Sequence, residues 1–433
     1  MEVKNPKVKK AAKVPEETAA GNGLLNRRAL LRGALFSAGL AAANASIAKA
    51  DESIGTHAPI WMKTPGRSFS GYGMPAKSQA NVKRIYTIVP GDAGTGSSRT
   101  PLHLLEGTIT PNGLHYERHH NGIPDIDPAK HELYIHGMVK RPLAFSVDAL
   151  KRYPMETHIH FLECSGNSAV MIAKQPEQAT AGALNGLVSC SEWTGVRLAT
   201  LLAEAGVTKE AKWVIAEGAD AAAMSRSIPL EKCLDDAVIA LFQNGEAIRP
   251  EQGFPMRLLV PGFEGNMNVK WLRRLNVIDR PVDARDETSH YTELLPNGKA
   301  YQYMFPMGVK SMILKPSFGI DLKGQGLYEI SGLAWSGAGI VSKVEVSVDG
   351  GKNWTQAALT GPVLPRALTR FRLPWKWNGQ PSVMMSRATD ETGAVQPTRS
   401  DWLAQYGPGQ IYHFNAIQGW GVNANGTVKN VYV

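Results

Sequence analysis

Cys164 ends a strand-like run and is followed by small, turn-forming residues. The run and the residues that follow it together cover Thr157–Asn167, and Gly166 stands two positions after the cysteine. A strand that ends in this way presents a thiolate at its tip, where it could ligate a metal, and the glycine lets a ligand approach the backbone closely. A lone cysteine is more often a packed core residue, so the surrounding motifs must decide between the two interpretations.

The sequence around the other two cysteines gives no indication of a chemical role. Cys190 and Cys233 stand in ordinary surroundings, which favours buried, inert thiols. No cysteine belongs to a C-x-x-C pair or precedes a haem-attachment histidine. We therefore expect no covalently bound c-type haem on this chain.

Four further motifs accompany Cys164 in a fixed order. They are Tyr116–Pro124 (YERHHNGIP) upstream, and Glu217–Asp220 (EGAD), Gly253–Arg257 (GFPMR) and Asn268–Trp271 (NVKW) downstream. Their order and spacing resemble the molybdopterin-binding core of the sulfite oxidase family of molybdenum enzymes. The resemblance extends from about residue 101 to 305, and it is the joint order of the motifs that makes it specific.

The resemblance implies a molybdenum–molybdopterin cofactor and gives each candidate residue a role. Cys164 is the implied metal ligand, and Arg118 and Tyr291 are implied catalytic residues beside the metal oxygens. The residues implied to bind the cofactor's phosphate are Arg257, Asn268, Val269 and Lys270. Those implied to bind its pterin are Tyr116, Glu117, Arg118, His119, His120, Asp220 and Gln252.

Several of these roles have a plainer alternative. Asp220 could be a turn residue, Lys270 a solvated strand residue, and Tyr291 an aromatic packed under a loop. Arg118 could orient an anionic sulfur substrate with its guanidinium fork, or it could clamp the cofactor alone.

Three departures from the family pattern concern the substrate. Ser168 and Ala169 stand where sulfite oxidases have two arginines, Gln252 replaces a histidine, and Lys429 stands in place of a C-terminal arginine. Fewer cations around the substrate disfavour a small free dianion.

Within the family, this combination is similar to the molybdenum subunits of periplasmic Sox sulfane dehydrogenases. That similarity implies a sulfane sulfur carried on a partner protein as substrate and a c-type cytochrome subunit as electron acceptor. The alternative substrate is free sulfite. A non-catalytic binding protein is a further hypothesis, against which the intact Cys164, Arg257 and Lys270 speak.

These residues require an α+β body that positions them. Residues 101–305 mix short strands, such as one predicted over Val269–Ile278, with a helix that carries Leu198, Leu201, Leu202 and Ala205 and that Thr194 could cap. Residues 306–433 show short, evenly spaced strands, typical of an immunoglobulin-like sandwich. This second part resembles the family's dimerisation domain, which implies a homodimer within a hetero-oligomer. Residues 51–100 read as an irregular arm.

The first fifty residues are typical of a twin-arginine export signal. Arg27 and Arg28 precede a short apolar run, Gly33–Ala43, and Ala48–Ala50 offers a cleavage site. The alternative is a short amphipathic helix. The apolar run is too short to span a bilayer, so the signal predicts a protein exported, already folded, to the periplasm.

The net charge gives little support for a polyanionic partner. The formal charge is +9, but residues 1–50 carry nine of the basic residues against three acidic ones. The rest of the chain has 38 basic and 35 acidic residues. We therefore expect no nucleic-acid partner.

Overall fold

The computed structural model describes residues 58–433, and the predicted export signal over residues 1–50 lies outside this range. Within this range the residues up to Ser68 are assigned to one unit and Phe69–Val433 to a second, compact unit. The described part of the first unit contains one 3-10 turn, Ile60–Met62. The second unit mixes helices and sheets, which confirms the predicted α+β class. No helix of the described range is long and apolar enough to cross a membrane.

The elements around the predicted site lie between residues 85 and 301. In chain order they are β1 (Ile85–Ile88), β2 (Gly96–Arg99), β3 (Glu117–His119), β4 (Glu132–Gly137), β5 (Leu143–Ser146), α1 (Val147–Leu150), β6 (Met155–Glu163), α2 (Ala181–Asn185), β7 (Val188–Arg197), α3 (Leu198–Ala205), β8 (Trp213–Gly218), β9 (Ser225–Pro229), α4 (Leu230–Asp235), β10 (Val238–Gln243), β11 (Glu246–Ala247), β12 (Arg257–Leu259), β13 (Leu272–Ile278), α5 (Arg285–Thr288), β14 (Glu293–Leu294) and β15 (Ala300–Tyr301).

Three sheets organise this part of the chain. One has the order β1-β2-β3, a second has the order β11-β10-β7-β6 with β12 paired to β10, and a third has the order β5-β4-β13-β8-β9. Only β4 and β13 pair in parallel among these strands. The predicted residues on β3, on β12 and at the end of β6 therefore come from two different sheets.

Helix α3 forms where the apolar pattern predicted a helix, but it begins at a different residue from the one predicted. Leu198, Leu201, Leu202 and Ala205 are buried on one face, and Gly206 ends the helix with a φ of 72°. Thr194 does not cap it, because β7 continues to Arg197 and the helix begins directly after that strand.

The segment before β13 also differs from the prediction. The strand begins at Leu272 rather than at Val269, and Trp271 has a φ of 51°. A left-handed residue cannot continue a strand. Residues 268–271 form an irregular, bent segment instead, which leaves Val269 and Lys270 beside the predicted site.

The C-terminal part is a sandwich of two antiparallel sheets. In chain order its elements are β16 (Lys310–Lys315), β17 (Gly326–Trp335), β18 (Val341–Ser347), β19 (Thr355–Gln356), β20 (Ala358–Thr360), β21 (Thr369–Trp377), β22 (Ser382–Asp390), α6 (Arg399–Tyr406), β23 (Gly419–Val422) and β24 (Val428–Val431). The sheets have the orders β16-β17-β21-β20 and β19-β18-β22-β23-β24. Helix α6 was not predicted, because it buries only Trp402 and shows no apolar stripe.

The two sheets of the sandwich share one core, and that core extends into the α+β body. Trp335 and Phe371 from one sheet and Val344 and Trp420 from the other are fully buried in it. The same cluster includes residues of the body, namely Leu102, Phe161, Met171, Val188 and Cys190. The sandwich and the body are therefore continuous in their packing.

The segment predicted as an irregular arm contains two strands. β1 pairs with β2, and β2 pairs with β3 through Gly96 opposite His119 and Ser98 opposite Glu117. Within the described range β1 has no second neighbour, and its Tyr86 and Ile88 are 64% and 75% exposed. The segment thus supplies the neighbouring strand, β2, of β3, which carries the predicted site residues Glu117, Arg118 and His119.

Candidate active site

Every predicted site residue lines a single cavity beside the end of β6. The space around the site, open solvent included, is about 680 Å³. Its lining consists of Cys164, Tyr116, Glu117, Arg118, His119, His120, Asp220, Gln252, Arg257, Asn268, Val269, Lys270 and Tyr291, together with His115, Leu162, Met224, Gly265, Asn266 and Trp271. The structure brings these residues together, while their individual roles stay predictions.

Strand β6 delivers Cys164 to the cavity. Successive side chains of a strand point to opposite faces. Leu162 and Cys164 accordingly line the cavity, whereas Phe161 packs into the core of the sandwich and Glu163 accepts a hydrogen bond from Trp335 of the sandwich. Burial raises the pKa of the Cys164 thiol, so a metal that binds there displaces a proton.

Glu117 interacts with two side chains of the protein, Arg84 and His119. Its carboxylate forms an ion pair with Arg84, which directly precedes β1, and His119 Nε2 lies 2.8 Å from Glu117 Oε2. Burial and the neighbouring Lys270 ammonium lower the pKa of His119 to about 3, so the ring is neutral. Glu117 therefore orients His119 within the wall of the cavity.

Lys270 joins the same wall. Its Nζ donates to His119 Nδ1 (2.9 Å), to the Arg118 carbonyl (3.0 Å) and to the Glu251 carbonyl (3.2 Å). Because His119 accepts at Nδ1, its proton is on Nε2, facing Glu117. Burial and the Arg257 guanidinium hold the pKa of Lys270 well below its usual value. All three donors of the ammonium group have acceptors in the chain.

His120 and Tyr291 form a second polar pair on the cavity wall. Their Nε2 and Oη atoms are 2.9 Å apart. Burial and Arg118 lower the pKa of His120 to about 3, and burial raises the pKa of the Tyr291 phenol. The phenol therefore keeps its proton at neutral pH, beside an imidazole that is uncharged.

Arg257 connects several predicted residues. Its Nη1 donates to the Gln252 carbonyl and its Nη2 to the Asn268 carbonyl, both at 2.9 Å. Gln252 Nε2 in turn donates to the Tyr116 carbonyl (2.9 Å), and the Asn268 N–H donates to the Gly265 carbonyl (3.2 Å). Burial lowers the pKa of Arg257 to about 10, so it is still a cation at neutral pH. Gln252 and Asn268 thus hold the wall together.

The cavity wall suits the implied molybdenum cofactor. Arg257 Nε and Asp220 Oδ1 are buried and have no hydrogen-bond partner among the described residues. A Cβ on Gly265 would lie 2.8 Å from Tyr116 Oη and 3.2 Å from Cys164 Cα, so bare backbone lines the wall there. A cationic donor, a carboxylate acceptor and a thiol match a pterin phosphate whose metal takes a sulfur ligand.

Two positions that the sequence associated with the substrate lie elsewhere. Ser168 is buried against the sandwich, where its Oγ donates to Asn185 Oδ1 (2.6 Å) and accepts from Lys310 Nζ (2.7 Å). Lys429 is exposed on β24, opposite Gly421. Neither residue is therefore part of the cavity wall of this structure, and their effect on the substrate stays a prediction.

Some cavity residues were not predicted. His115 directly precedes the motif that begins at Tyr116, and Asn266 lies between Gly265 and Asn268, so proximity to a motif was the only available signal. Arg84, which supports the cavity residue Glu117 without lining the cavity itself, had no sequence signal, because the two meet only through the fold of the β1–β3 sheet.

Family models match both parts of the chain. The oxidoreductase molybdopterin binding domain matches residues 120–285, and the Mo-co oxidoreductase dimerisation domain matches residues 301–419. Among solved structures, the sulfane dehydrogenase SoxCD from Paracoccus pantotrophus is 44% identical and superposes with a TM-score of 0.86, covering 88% of this chain and 99% of that chain. The chain belongs to the sulfite oxidase family of molybdenum oxidoreductases.

This sulfite oxidase family member also resembles longer proteins. Mitochondrial sulfite oxidase of Mus musculus is 31% identical over 322 residues, which are 69% of this chain and 59% of the mouse protein. The NADH nitrate reductase of Solanum lycopersicum is 32% identical over 349 residues, which are 71% of this chain and 38% of the tomato protein. The chain therefore spans less than two thirds of either relative.

Proposed function

We propose that this chain is the catalytic molybdenum subunit of a periplasmic sulfane dehydrogenase. The substrate is a sulfane sulfur bound to a carrier protein, and the electrons pass to a c-type cytochrome subunit. The proposal is supported most directly by the convergence of Cys164, Arg118, His120 and Tyr291 on one cavity, in a chain 44% identical to the sulfane dehydrogenase SoxCD.

Several side chains are suited to hold the cofactor. We assign Cys164 as the thiolate ligand of molybdenum, Arg257 as the phosphate-binding cation and Asp220 as a pterin acceptor. When bound, the cofactor supplies oxygen-atom transfer and takes two electrons from the sulfur. Lys270 would have to exchange one of its three present acceptors to reach a phosphate, so we assign it chiefly to the orientation of His119 and Arg118.

The remaining polar groups act on the substrate and on protons. Arg118 lines the cavity and is suited to orient an anionic sulfur group with its guanidinium fork. We assign His120 the tautomer in which Nε2–H donates to Tyr291 Oη, which leaves the phenol proton free on the cavity wall. Tyr291 can therefore donate to an oxygen at the reacting sulfur. Leu162, Met224 and Trp271 add apolar surface that excludes water.

Oxidation of free sulfite is the second candidate function. The 31% identity with mouse mitochondrial sulfite oxidase favours it. The cavity also contains the guanidinium groups of Arg118 and Arg257, so it is not free of positive charge. The two functions use the same cofactor and differ only in the size and attachment of the sulfur substrate.

Steady-state reduction of a c-type cytochrome distinguishes the two functions. We expect turnover with a carrier protein loaded with sulfane sulfur, slow turnover with free sulfite, and no turnover by a folded Cys164→Ser variant with either. Efficient sulfite oxidation without action on bound sulfane would support the second candidate. Protein from its native host that holds neither molybdenum nor a releasable pterin would exclude both.

The assembly is proposed on the match to the dimerisation domain. We propose a catalytic domain over residues 101–305 and a homodimer through residues 306–433, joined to a haem-bearing subunit. Sedimentation of the purified complex should give two copies of this chain, and its visible spectrum should show haem bands. A monomer without haem would contradict this assembly.

A further inference from the structure

Glu163 lies on the face of β6 opposite the cavity, directly before Cys164. It is 1% exposed, and both carboxylate oxygens have donors. Trp335 Nε1 donates to Oε2 (2.6 Å), and Asn167 Nδ2 donates to Oε1 (2.9 Å). Lys310 Nζ lies 3.4 Å from Oε1. Two of these three partners, Trp335 and Lys310, belong to the C-terminal sandwich.

Lys310 contacts the cysteine loop, residues 163–168, at both ends. It is the first residue of β16 and is 2% exposed. Besides its contact with Glu163, its Nζ donates to Ser168 Oγ (2.7 Å) and to the Phe414 carbonyl (2.8 Å). The ammonium group therefore links the residue before Cys164 to a residue four positions after it.

The conformation of the cysteine loop depends on these contacts, since after Glu163, the last residue of β6, residues 164–168 belong to no helix or strand. Ser168 has a φ of 68°, which serine adopts only when its surroundings hold it there. The Leu187 N–H donates to Asn167 Oδ1 (3.1 Å), and the Asn167 N–H donates to the Cys164 carbonyl (2.9 Å). A displaced Glu163 or Ser168 would therefore move the cysteine between them.

None of the groups that hold the loop touches the cavity. Glu163, Asn167, Ser168 and Lys310 are absent from its lining. They cannot contact a substrate or a cofactor there, so any effect on chemistry must pass through the position of Cys164.

We propose that Lys310 and Glu163 are positioning residues for Cys164, so that the sandwich forms part of the catalytic unit in addition to its proposed role in assembly. This inference rests on the proposed role of Cys164 as the metal ligand. It assigns a function to a buried ion pair between the sandwich and the body, and it explains why the core of the sandwich extends to β6.

The test compares Lys310→Met with wild type in two assays. The first is the rate at which iodoacetamide alkylates Cys164 in the cofactor-free full chain, read by peptide mass spectrometry. Cys190 and Cys233 are 0% exposed and serve as unreactive internal references. The second is the turnover of the holoenzyme. We expect a several-fold change in alkylation rate and a kcat lowered about 10-fold or more, with KM nearly unchanged.

Two variants control for general destabilisation. Lys310→Arg keeps the charge and should retain the wild-type alkylation rate within a small factor. Asp236→Asn breaks another ion pair between the body and the sandwich, Arg366 Nη1 to Asp236 Oδ2 (2.9 Å), whose residues do not line the cavity. It should leave the alkylation rate and kcat near wild type.

The outcomes separate this inference from the proposed function. If folded Lys310→Met matches wild type in both assays, or if Asp236→Asn alters them equally, the inference is wrong. If Lys310→Met does not fold, the double variant Glu163→Gln/Lys310→Met removes both buried charges and replaces it in the same assays. A changed alkylation rate in an enzyme that does not oxidise bound sulfane would leave the inference standing and refute the proposed function.

Discussion

Gly265 lies where the cavity wall comes closest to the cysteine. A Cβ at this position would lie 2.8 Å from the Glu163 carbonyl and from Tyr116 Oη, and 3.2 Å from Cys164 Cα. We expect Gly265→Ala to lower the molybdenum content of the purified protein and to reduce its free energy of unfolding by about 1–3 kcal/mol, because backbone atoms must shift to admit the methyl group. Metal analysis and urea unfolding measure the two effects.

Gly409→Ala is the matched control, because nothing lies within 4 Å of a Cβ there. It should change the free energy of unfolding by no more than about 0.5 kcal/mol. If both variants changed the free energy of unfolding and the molybdenum content equally, the backbone around Gly265 would accommodate a methyl group without cost, contrary to this prediction.

The site residues that could be predicted from the sequence are those in short linear motifs. Tyr116–His120, Gly253–Arg257 and Asn268–Trp271 carry most of the cavity wall, and each is recognisable without a structure. The partners that orient them are separated along the chain. Lys310 is 147 positions from Glu163, and no local pattern connects them. Contacts made only by the tertiary fold leave no periodic signal.

The β1–β3 sheet depends on an ion pair at its edge. The side chains of Arg84 and Glu117 are 15% and 11% exposed, and Glu117 in turn orients His119. Removal of one partner leaves the other charge largely buried and unpaired. We expect Arg84→Met to reduce the free energy of unfolding by about 2–4 kcal/mol and to lower the molybdenum content. Urea unfolding and metal analysis are the measurements.

Lys83→Met provides the comparison, since Lys83 is exposed and forms no ion pair within the described range. Lys83→Met should have the free energy of unfolding and the molybdenum content of wild type. The double variant Arg84→Met/Glu117→Gln removes both charges and should recover part of the lost stability. A double variant as unstable as Arg84→Met would argue against an electrostatic cause.

The loop between α6 and β23 contributes a pH-dependent contact. His413 Nε2 lies 3.3 Å from Glu264 Oε2 and 3.7 Å from Glu293 Oε1. Burial by itself lowers the pKa of His413, but the hydrogen bond and the charge of Glu264 outweigh it and raise the pKa above its usual value. The stabilisation by protonated His413 is therefore complete below about pH 6.5 and is lost as the pH rises through the raised pKa.

His413→Asn tests this contact. Asparagine tolerates the φ of 53° at this position. The difference between the urea midpoints of wild type and variant should be largest near about pH 6 and should shrink at higher pH. A difference that stays constant up to about pH 9 would exclude protonation of His413 as its cause.

Strand and helix patterns predicted most of the fold, and the failures have local causes. The left-handed Trp271 delays the start of β13 to Leu272, and the extension of β7 to Arg197 takes Thr194 from the helix start. Helix α6 has one buried side chain, so its sequence carries no amphipathic signal. At Trp271 and Thr194 the tertiary context overrides the local preference.

For the chain as a whole, the shared core predicts cooperative unfolding. Phe161 and Val188 of the body are buried in the same cluster as Trp335 and Phe371 of the sandwich. Neither part can lose its packing without exposing residues of the other. We therefore expect differential scanning calorimetry of the full chain to show one transition for Phe69–Val433. Two resolved transitions would mean that the body and the sandwich unfold independently.

The open edge of β1 affects how the purified protein behaves at high concentration. Within the described range β1 has a neighbour on one edge only, and its other edge, with exposed Tyr86 and Ile88, is a template on which a second chain can add a strand. Lys83 places a charge before this edge, and Pro90, which has no N–H to donate, follows it. The edge is limited to the four residues of Ile85–Ile88, fewer than the about six residues of a fibril-forming segment. The shortness of β1 therefore limits aggregation of the purified protein through this edge.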